Sequence, residues 1–333
     1  MDIATHALAS YALARGFFPH RRWPLILGML VAGTLAGIDL FSAFFGPSAY
    51  FAAHRSFTHS LLGTVAVIVL ALLFTRYLAR KQSEPFLALF LPLTLAAGLH
   101  VVLDLFQSEG VALLSPFRPA RFAMDWLPSI DPWILAILIA GILVPELFRL
   151  VTSEIGAKQK SPRGRNGAII ALALIALYIG ARALLHSGSM ASLEPHSYHG
   201  ESARRVGAFP DALSITTWHG VVETQSFLCL AEVPSGPGKS FDPESAECLH
   251  KPEPSPELDA AQRTHVSSEY LRSVPFPRAI VAKTEDGYEV VIRSARDLAE
   301  NEIYHRVAAR ILLDSQFAIT SQDLVWSSDI RLR

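Results

Sequence analysis

The sequence predicts an α-helical membrane bundle of about six helices over residues 1–186, followed by a soluble, β-rich extracytoplasmic domain over residues 187–333. Three observations carry this. Hydrophobic residues make up 51% of the chain and charged residues only 18%, a balance that leans towards a membrane protein. Charge is split, with fifteen Lys and Arg against nine Asp and Glu in residues 1–186, and fourteen against twenty-one after them. Apolar runs of about 20 residues, long enough to cross a hydrocarbon layer, fall in the first part and shorten to strand length in the second.

Residues 3–18 read as a helix, but Thr5, His6 and Arg15 suit a bundle interior or a re-entrant segment better than a lipid-facing span. Met1-Asp2 precedes it without a basic flank or a cleavage signal, so this segment is expected to be retained. Further spans are predicted at 24–45, 60–75, 85–106, 132–150 and 168–186, with a short polar and aromatic loop at 46–58 and a Pro- and aromatic-rich loop at 107–129. Lys and Arg collect at 20–22, 76–81 and 149–165, the last including Lys158, Lys160, Arg163 and Arg165. The positive-inside rule makes these turns cytoplasmic. The loops at 46–58 and 107–129, and everything after 187, then face outward.

Beyond residue 187, β-branched enrichment and partial alternation predict strands at Ser214–Val222, Ser226–Val233, Arg278–Lys283, Tyr288–Arg293 and Arg306–Ile319. Thr284-Glu285-Asp286-Gly287 reads as a hairpin turn through Asp-Gly. The Pro-, Ser- and Glu-rich stretch 234–263 reads as a loop. Cys229 and Cys248 are the two cysteines; in an oxidising compartment they could pair, in the cytosol they are two thiols, and a plain core role for Cys229 is equally open.

The polar residues of the first part are costly there unless they have work to do. His54-Arg55-Ser56-Phe57-Thr58-His59-Ser60 sits directly before an apolar run. His100 and Asp104, four apart on a predicted helix, share one face and could present an imidazole and a carboxylate to one ion. His6 and His59 each stand near a helix start, and Asp39 near the outer end of its span. His54 and His59 are five apart, so both converge only if His54 lies on the loop. Each histidine alone reads as a hydrogen-bonded structural or interfacial residue, and Asp104 alone as a helix-end partner of Arg118 or Arg121. Jointly, His6, Asp39, His54, His59, His100 and Asp104 fall at one depth, which scattered core residues have no reason to do. Imidazole nitrogen with carboxylate oxygen suits a divalent metal, zinc first, with manganese and iron as the other options.

Arg55, Arg118 and Arg121 are candidate substrate-anion groups, with lipid head-group contact as the alternative role. Asp131 before Pro132 fits a helix N-cap with Pro at the first helical position. The remaining histidines, His186, His196, His199, His219, His250, His265 and His305, show no such spacing. No glycine-rich phosphate loop, Gly-x-Ser-x-Gly elbow or zinc-type cysteine pair occurs. The acidic second part gives nucleic-acid binding no support.

Several motifs occur in order: Thr5-His6-Ala7-Leu8, Ile38-Asp39, His54-Arg55-Ser56-Phe57-Thr58-His59-Ser60-Leu61, Gly98-Leu99-His100-Val101-Val102-Leu103-Asp104, Gly110, Leu114-Ser115-Pro116-Phe117 and Ile130-Asp131-Pro132. Over about the first 135 residues the chain thereby resembles the YdjM-like family of LexA-regulated, inner-membrane-associated metal-dependent hydrolases. The resemblance implies a bacterial, multi-pass inner-membrane protein in which His6, Asp39, His54, His59, His100 and Asp104 take the family's histidine and acidic positions. One departure is Ala36-Gly37-Ile38-Asp39, where the family usually has Pro-Asp-x-Asp, so the first acid is missing.

The expectation is a membrane-bound metal-dependent hydrolase with its site at the outer face, acting on an envelope or lipid-linked ester such as a phosphoester. His6, Asp39, His59, His100 and Asp104 are the expected metal residues; Asp39, His54 and Arg55 are the expected catalytic ones; Arg55, Arg118 and Arg121 are expected to bind substrate. A metal or proton transporter would use the same ligands at mid-membrane depth. A non-catalytic envelope or stress protein would use the metal as a brace.

Overall fold

The computed structural model describes residues 1–19, 22–81, 84–118, 120–154, 164–299 and 307–330. The basic residues Arg21, Lys158, Lys160 and Arg163, on which the orientation rests in part, lie outside these, as do His20, His305 and Arg306. The chain divides into two compact units, one of Met1–Asp39 with Arg55–Ala183, the other of Leu40–His54 with Leu184–Arg333.

The first unit is helical. Helix α1 spans Ile3–Phe17 and α2 Trp23–Thr34, and α2 runs on as a tighter 3₁₀ helix over Leu35–Phe45. After α3 (Pro47–Ala53), which belongs to the second unit, come α4 (Leu61–Leu78), α5 (Phe86–Leu105), α6 (Pro132–Glu154) and α7 (Arg165–Leu193). Among the described residues, four stretches are long and apolar enough to cross a membrane, namely Trp23–Phe45, Leu61–Leu78, Phe86–Leu105 and Arg165–Leu193, with a shorter apolar run at Pro132–Phe148.

Burial runs opposite to that of a water-soluble helix. On α4 the exposed stripe is Leu61, Val65, Val69, Leu73 and Tyr77, repeating every four residues, and it is apolar. The inward face, Val67, Ile68, Ala71 and Thr75, packs with Ala14, Leu25, Met29, Ala32, Leu93, Ala96 and Ala97 of α1, α2 and α5. Small residues dominate because helices in lipid gain by close backbone approach rather than by escaping water. A Cβ on Gly28 would stand 1.9 Å from Thr75 Oγ1, which shows how tightly α2 meets α4.

Side-chain caps fix where these helices begin. Asp2 accepts from the Thr5 N–H at 2.9 Å, Ser60 from the Gly63 N–H at 3.0 Å, and Asp131 from the N–H groups of Trp133 and Ile134 at 2.9 and 3.0 Å. Asp131 is thus the cap expected, with Pro132 following, and its Oδ2 also accepts from the Tyr178 phenol Oη–H at 2.8 Å. The starts of α1 and α4, the α2 extension at Asp39 and the last turn of α5 come together, and the polar residues lie there.

The second unit is β-rich. Strands β3 (Arg205–Pro210), β4 (Thr217–Glu223), β5 (Phe227–Pro234) and β6 (Glu247–His250) form one antiparallel sheet in that order, after the short hairpin β1 (Ser197–Tyr198) and β2 (Glu201–Ser202). Strands β7 (Pro277–Lys283), β8 (Gly287–Ser294), β9 (Val307–Asp314) and β10 (Ile319–Trp326) form a second. The Asp-Gly hairpin is found where expected, with the Thr284 N–H bonded to the Gly287 carbonyl at 2.8 Å.

Two expectations are corrected. The run Arg306–Ile319 is not one strand, because Asp314 takes the N–H groups of Gln316 and Ala318 at 2.8 and 2.9 Å and turns the chain into β10. The stretch 234–263 is not only loop: it holds β6 and helix α8 (Pro256–Gln262), the latter capped by Ser255. Helix α9 (His265–Ser273) follows, and with α8 it covers one face of the second sheet, Leu258, Ala261 and Tyr270 packing on Val290, Ile292, Ala309 and Ile311. Helix α3, inside the expected 46–58 loop, adds Tyr50 and Phe51 to that core. Cys229 and Cys248 face each other across β5 and β6 and are joined in a disulfide.

Candidate metal centre

Asp104, the penultimate residue of α5, is the hub of the polar cluster. His100, one turn earlier on the same face, brings Nε2 to 3.2 Å from Asp104 Oδ2. His59, in a single 3₁₀ turn before the Ser60 cap, brings Nε2 to 3.0 Å from the same oxygen and 3.0 Å from His100 Nε2. His6, one turn into α1, approaches Asp104 Oδ1 with Nε2 at 3.2 Å and stacks on the His100 ring at 3.7 Å between centroids. All four side chains are buried.

The outer partners of the rings decide which nitrogen carries a proton. His100 Nδ1 lies 2.8 Å from the Gly33 carbonyl, which can only accept, so Nδ1 is the donor. His59 Nδ1 lies 3.0 Å from Asp39 Oδ2, and the Thr58 hydroxyl, 2.6 Å from that oxygen, donates to it. In their neutral forms both rings therefore turn a bare Nε2 lone pair towards Asp104. Three electron-pair donors stand 3.0–3.2 Å apart. Donor atoms arranged tetrahedrally at about 2.0 Å from one ion are separated by about 3.3 Å, so the set fits a divalent metal. His6, His100 and Asp104 offer ligand atoms within 4.8 Å of one another, and this buried group could hold a metal ion. His6 Nδ1 is buried with no hydrogen-bond partner among the described residues. Burial pulls the His59 imidazole towards neutrality, while its contacts with the Asp104 and Asp39 carboxylates outweigh this and raise its pKa. A proton on His59 Nε2 would block that nitrogen as a metal ligand.

Asp39 stands behind His59, on the nitrogen facing away from Asp104, an arrangement that orients a metal-binding imidazole and raises its basicity. The Arg55 N–H reaches the same Asp39 oxygen at 2.9 Å. Arg55 has φ +52°, unusual for a residue with a side chain, and its carbonyl accepts from Ala112 N–H at 3.0 Å. Its guanidinium is buried, 3.6 Å from Asp104 Oδ1 and 3.4 Å from Glu109 Oε2, and it donates to Gln107 Oε1. The Met1 amine also contacts Asp104 and Gln107.

Of the residues singled out in the sequence, the structure brings together His6, Asp39, Arg55, His59, His100 and Asp104. His54 belongs to the other unit, where it ends α3 and stacks on Tyr50, four residues earlier, at 4.6 Å. Arg118 is exposed and Arg121 half-buried on the loop between α5 and α6, outside the contacts given above. Sequence reasoning missed Gln107, which is fully buried with its amide donating to the Pro128 and Ser129 carbonyls at 3.0 and 3.1 Å. It lies three residues beyond Asp104, just past the end of α5, where it bridges to Leu127.

Residues 1–188, which include every member of this cluster, match the family described as YdjM inner membrane protein. The chain belongs to that family. As a YdjM family member it is assigned to an inner-membrane family, consistent with its four apolar helices. It is 29% identical over 154 residues to "Uncharacterized protein YfhP" of Bacillus subtilis (strain 168), covering 43% of this chain. The match spans 46%, under half, of that relative's length. No solved structure matches the chain.

Proposed function

We propose that this YdjM family member is a multi-pass metal-dependent hydrolase of the inner membrane, with its centre near the outer face and residues 187–333 extracytoplasmic. The observation that carries the metal reading is the triangle of His59 Nε2, His100 Nε2 and Asp104 Oδ2, edges 3.0–3.2 Å, whose protons are committed elsewhere. In this reading His6, His59, His100 and Asp104 hold the ion, zinc first by donor set. Asp39 acts through His59 as a positioning residue. Bound there, a divalent ion supplies Lewis acidity and lowers the pKa of a water. Arg55, beside Asp104 and Glu109, offers a guanidinium to a substrate anion, and Glu109, the more exposed of these, marks the approach from solvent. The substrate class that fits an inner-membrane centre with such a cation is an envelope or lipid-linked ester, a phosphoester among them. The Cys229–Cys248 disulfide supports the extracytoplasmic side, since such bonds persist in oxidising compartments.

Metal analysis of purified protein tests the centre. Wild type should carry metal, and His59→Ala and His100→Ala should carry little; equal content in all three would refute it. Turnover of a chromogenic phosphodiester by wild type, lost in Arg55→Ala with metal retained, tests the chemistry. A second reading draws on the burial of every ligand, because structural metal sites are closed and catalytic ones keep an open position. A bracing metal without turnover is that outcome.

A further inference from the structure

A second polar feature lies in the β-rich unit and takes no part in the centre described above. Arg278 of β7 and Arg293 of β8 are direct register partners in the antiparallel pair, so their side chains rise from the same face of the sheet. Like charges placed directly opposite each other destabilise a sheet. The same sheet handles another arginine in the ordinary way: Arg310 of β9 reaches Glu289 of β8 at 2.6 Å. For the Arg278–Arg293 pair, no carboxylate among the described residues stands within ion-pair distance.

The Arg293 guanidinium is half-buried, and its Nε is buried with no hydrogen-bond partner among the described residues. Burial, then the charge of Arg278, lowers the Arg293 pKa, against the opposing pull of Asp297. Asp297 is shared, since Arg296 lies 3.9 Å from it. Arginine stays charged in proteins, so the pair carries two cations with donors to spare.

We propose that Arg278 and Arg293 form an anion site that takes one phosphate group across their two guanidiniums. Cross-strand partners rise from points about 5 Å apart, close enough for two planar forks to share the oxygens of one tetrahedral anion. A bridging phosphate removes the like-charge repulsion and supplies the acceptor that Arg293 Nε lacks. The phosphate could come from an anionic lipid headgroup or from a soluble phosphate ester.

The test is titration of the full-length protein with inorganic phosphate by calorimetry at low ionic strength, in nanodiscs of phosphatidylcholine alone. Arg278→Gln and Arg293→Gln should each weaken binding at least tenfold, and Arg310→Gln should leave it unchanged. Each of the first two variants should melt at or above the wild-type temperature without phosphate, because the repulsion is gone, and should lose the wild-type rise in Tm when phosphate is added. Binding should persist in His100→Ala, which separates this site from the metal centre. Absence of phosphate binding, wild-type affinity in Arg278→Gln or Arg293→Gln, or loss of binding in His100→Ala would each overturn the proposal. Repeating the titration in nanodiscs containing phosphatidylglycerol identifies the source. A tenfold drop in apparent phosphate affinity there assigns the site to the lipid headgroup, and an unchanged value assigns it to soluble phosphate.

Discussion

Replacing Asp39 by Asn distinguishes a carboxylate that binds metal from one that orients a ligand. Asp39 Oδ2 accepts from Arg55 N–H at 2.9 Å and Thr58 Oγ1 at 2.6 Å, and it faces His59 Nδ1 at 3.0 Å. An amide with its carbonyl oxygen turned to these donors keeps the shape and these three contacts and drops the charge. Hydrogen bonds to charged groups contribute about 1.5–3 kcal/mol against about 0.5–1.5 for neutral ones, so the hold on the His59 ring weakens by on the order of 1 kcal/mol. Outer-shell partners of metal-binding histidines typically carry about 10–100-fold in affinity, equivalent to about 1.4–2.7 kcal/mol. Competitive chelator titration with zinc should therefore give Asp39→Asn the wild-type stoichiometry with a Kd about 10–100-fold weaker. An unchanged Kd would show that the carboxylate does not orient His59. Loss of metal as complete as in His100→Ala would place Asp39 among the ligands and refute the tautomer argument.

Cys229→Ser with Cys248→Ser should cost the second unit about 3 kcal/mol, the chain-entropy value for a loop of this size, the two residues being 19 apart. In cells, both thiols should resist alkylation until a reductant is added; labelling without reductant would refute the pairing. Trp218→Ala removes a fully buried side chain packed among Leu193, Val222 and Val233. It should destabilise by about 3–5 kcal/mol, read as a lower Tm in detergent. The Asp211 carboxyl is held below its ordinary value of 3.8: burial works against this, but the N–H groups of Ser214 and Leu213 and the nearby His219 outweigh it. Its contribution is therefore present above that value and lost as pH falls through it. The stability gap between wild type and Asp211→Asn should close in acid, and a gap independent of pH would refute the assignment.

The spans were legible because lipid demands long, uniform apolar runs, and α4 and α5 begin and end within three residues of the expected bounds. The β-rich unit was harder to read. Strand β10 carries Ser321, Gln322 and Asp323, largely exposed, so no apolar alternation marks it. Strand β6 is four residues long and is held by its pairing with β5 and the disulfide, contacts that no local pattern encodes. At the centre, His100 and Asp104 were readable from helical spacing, and His6, Asp39 and His59 from their shared depth. Which atoms face each other was not readable, because the Gly33 carbonyl is a main-chain group with no signature in residue type. His54 lies at the C-terminal cap of α3, four residues beyond Tyr50, on whose ring it stacks.

That carbonyl also bears on how the centre can be dissected and how it can vary. A side-chain scan deletes acceptors one at a time, yet the group that sets the His100 tautomer survives every substitution, since each amino acid brings its own main chain. Only displacement can disturb it, and position 33 is where displacement would start, because a Cβ there would stand 1.8 Å from Ser10 Oγ and push α2 off α1. The tautomer of His100 on α5, a ligand in the proposed centre, is thus written in the spacing between two neighbouring helices.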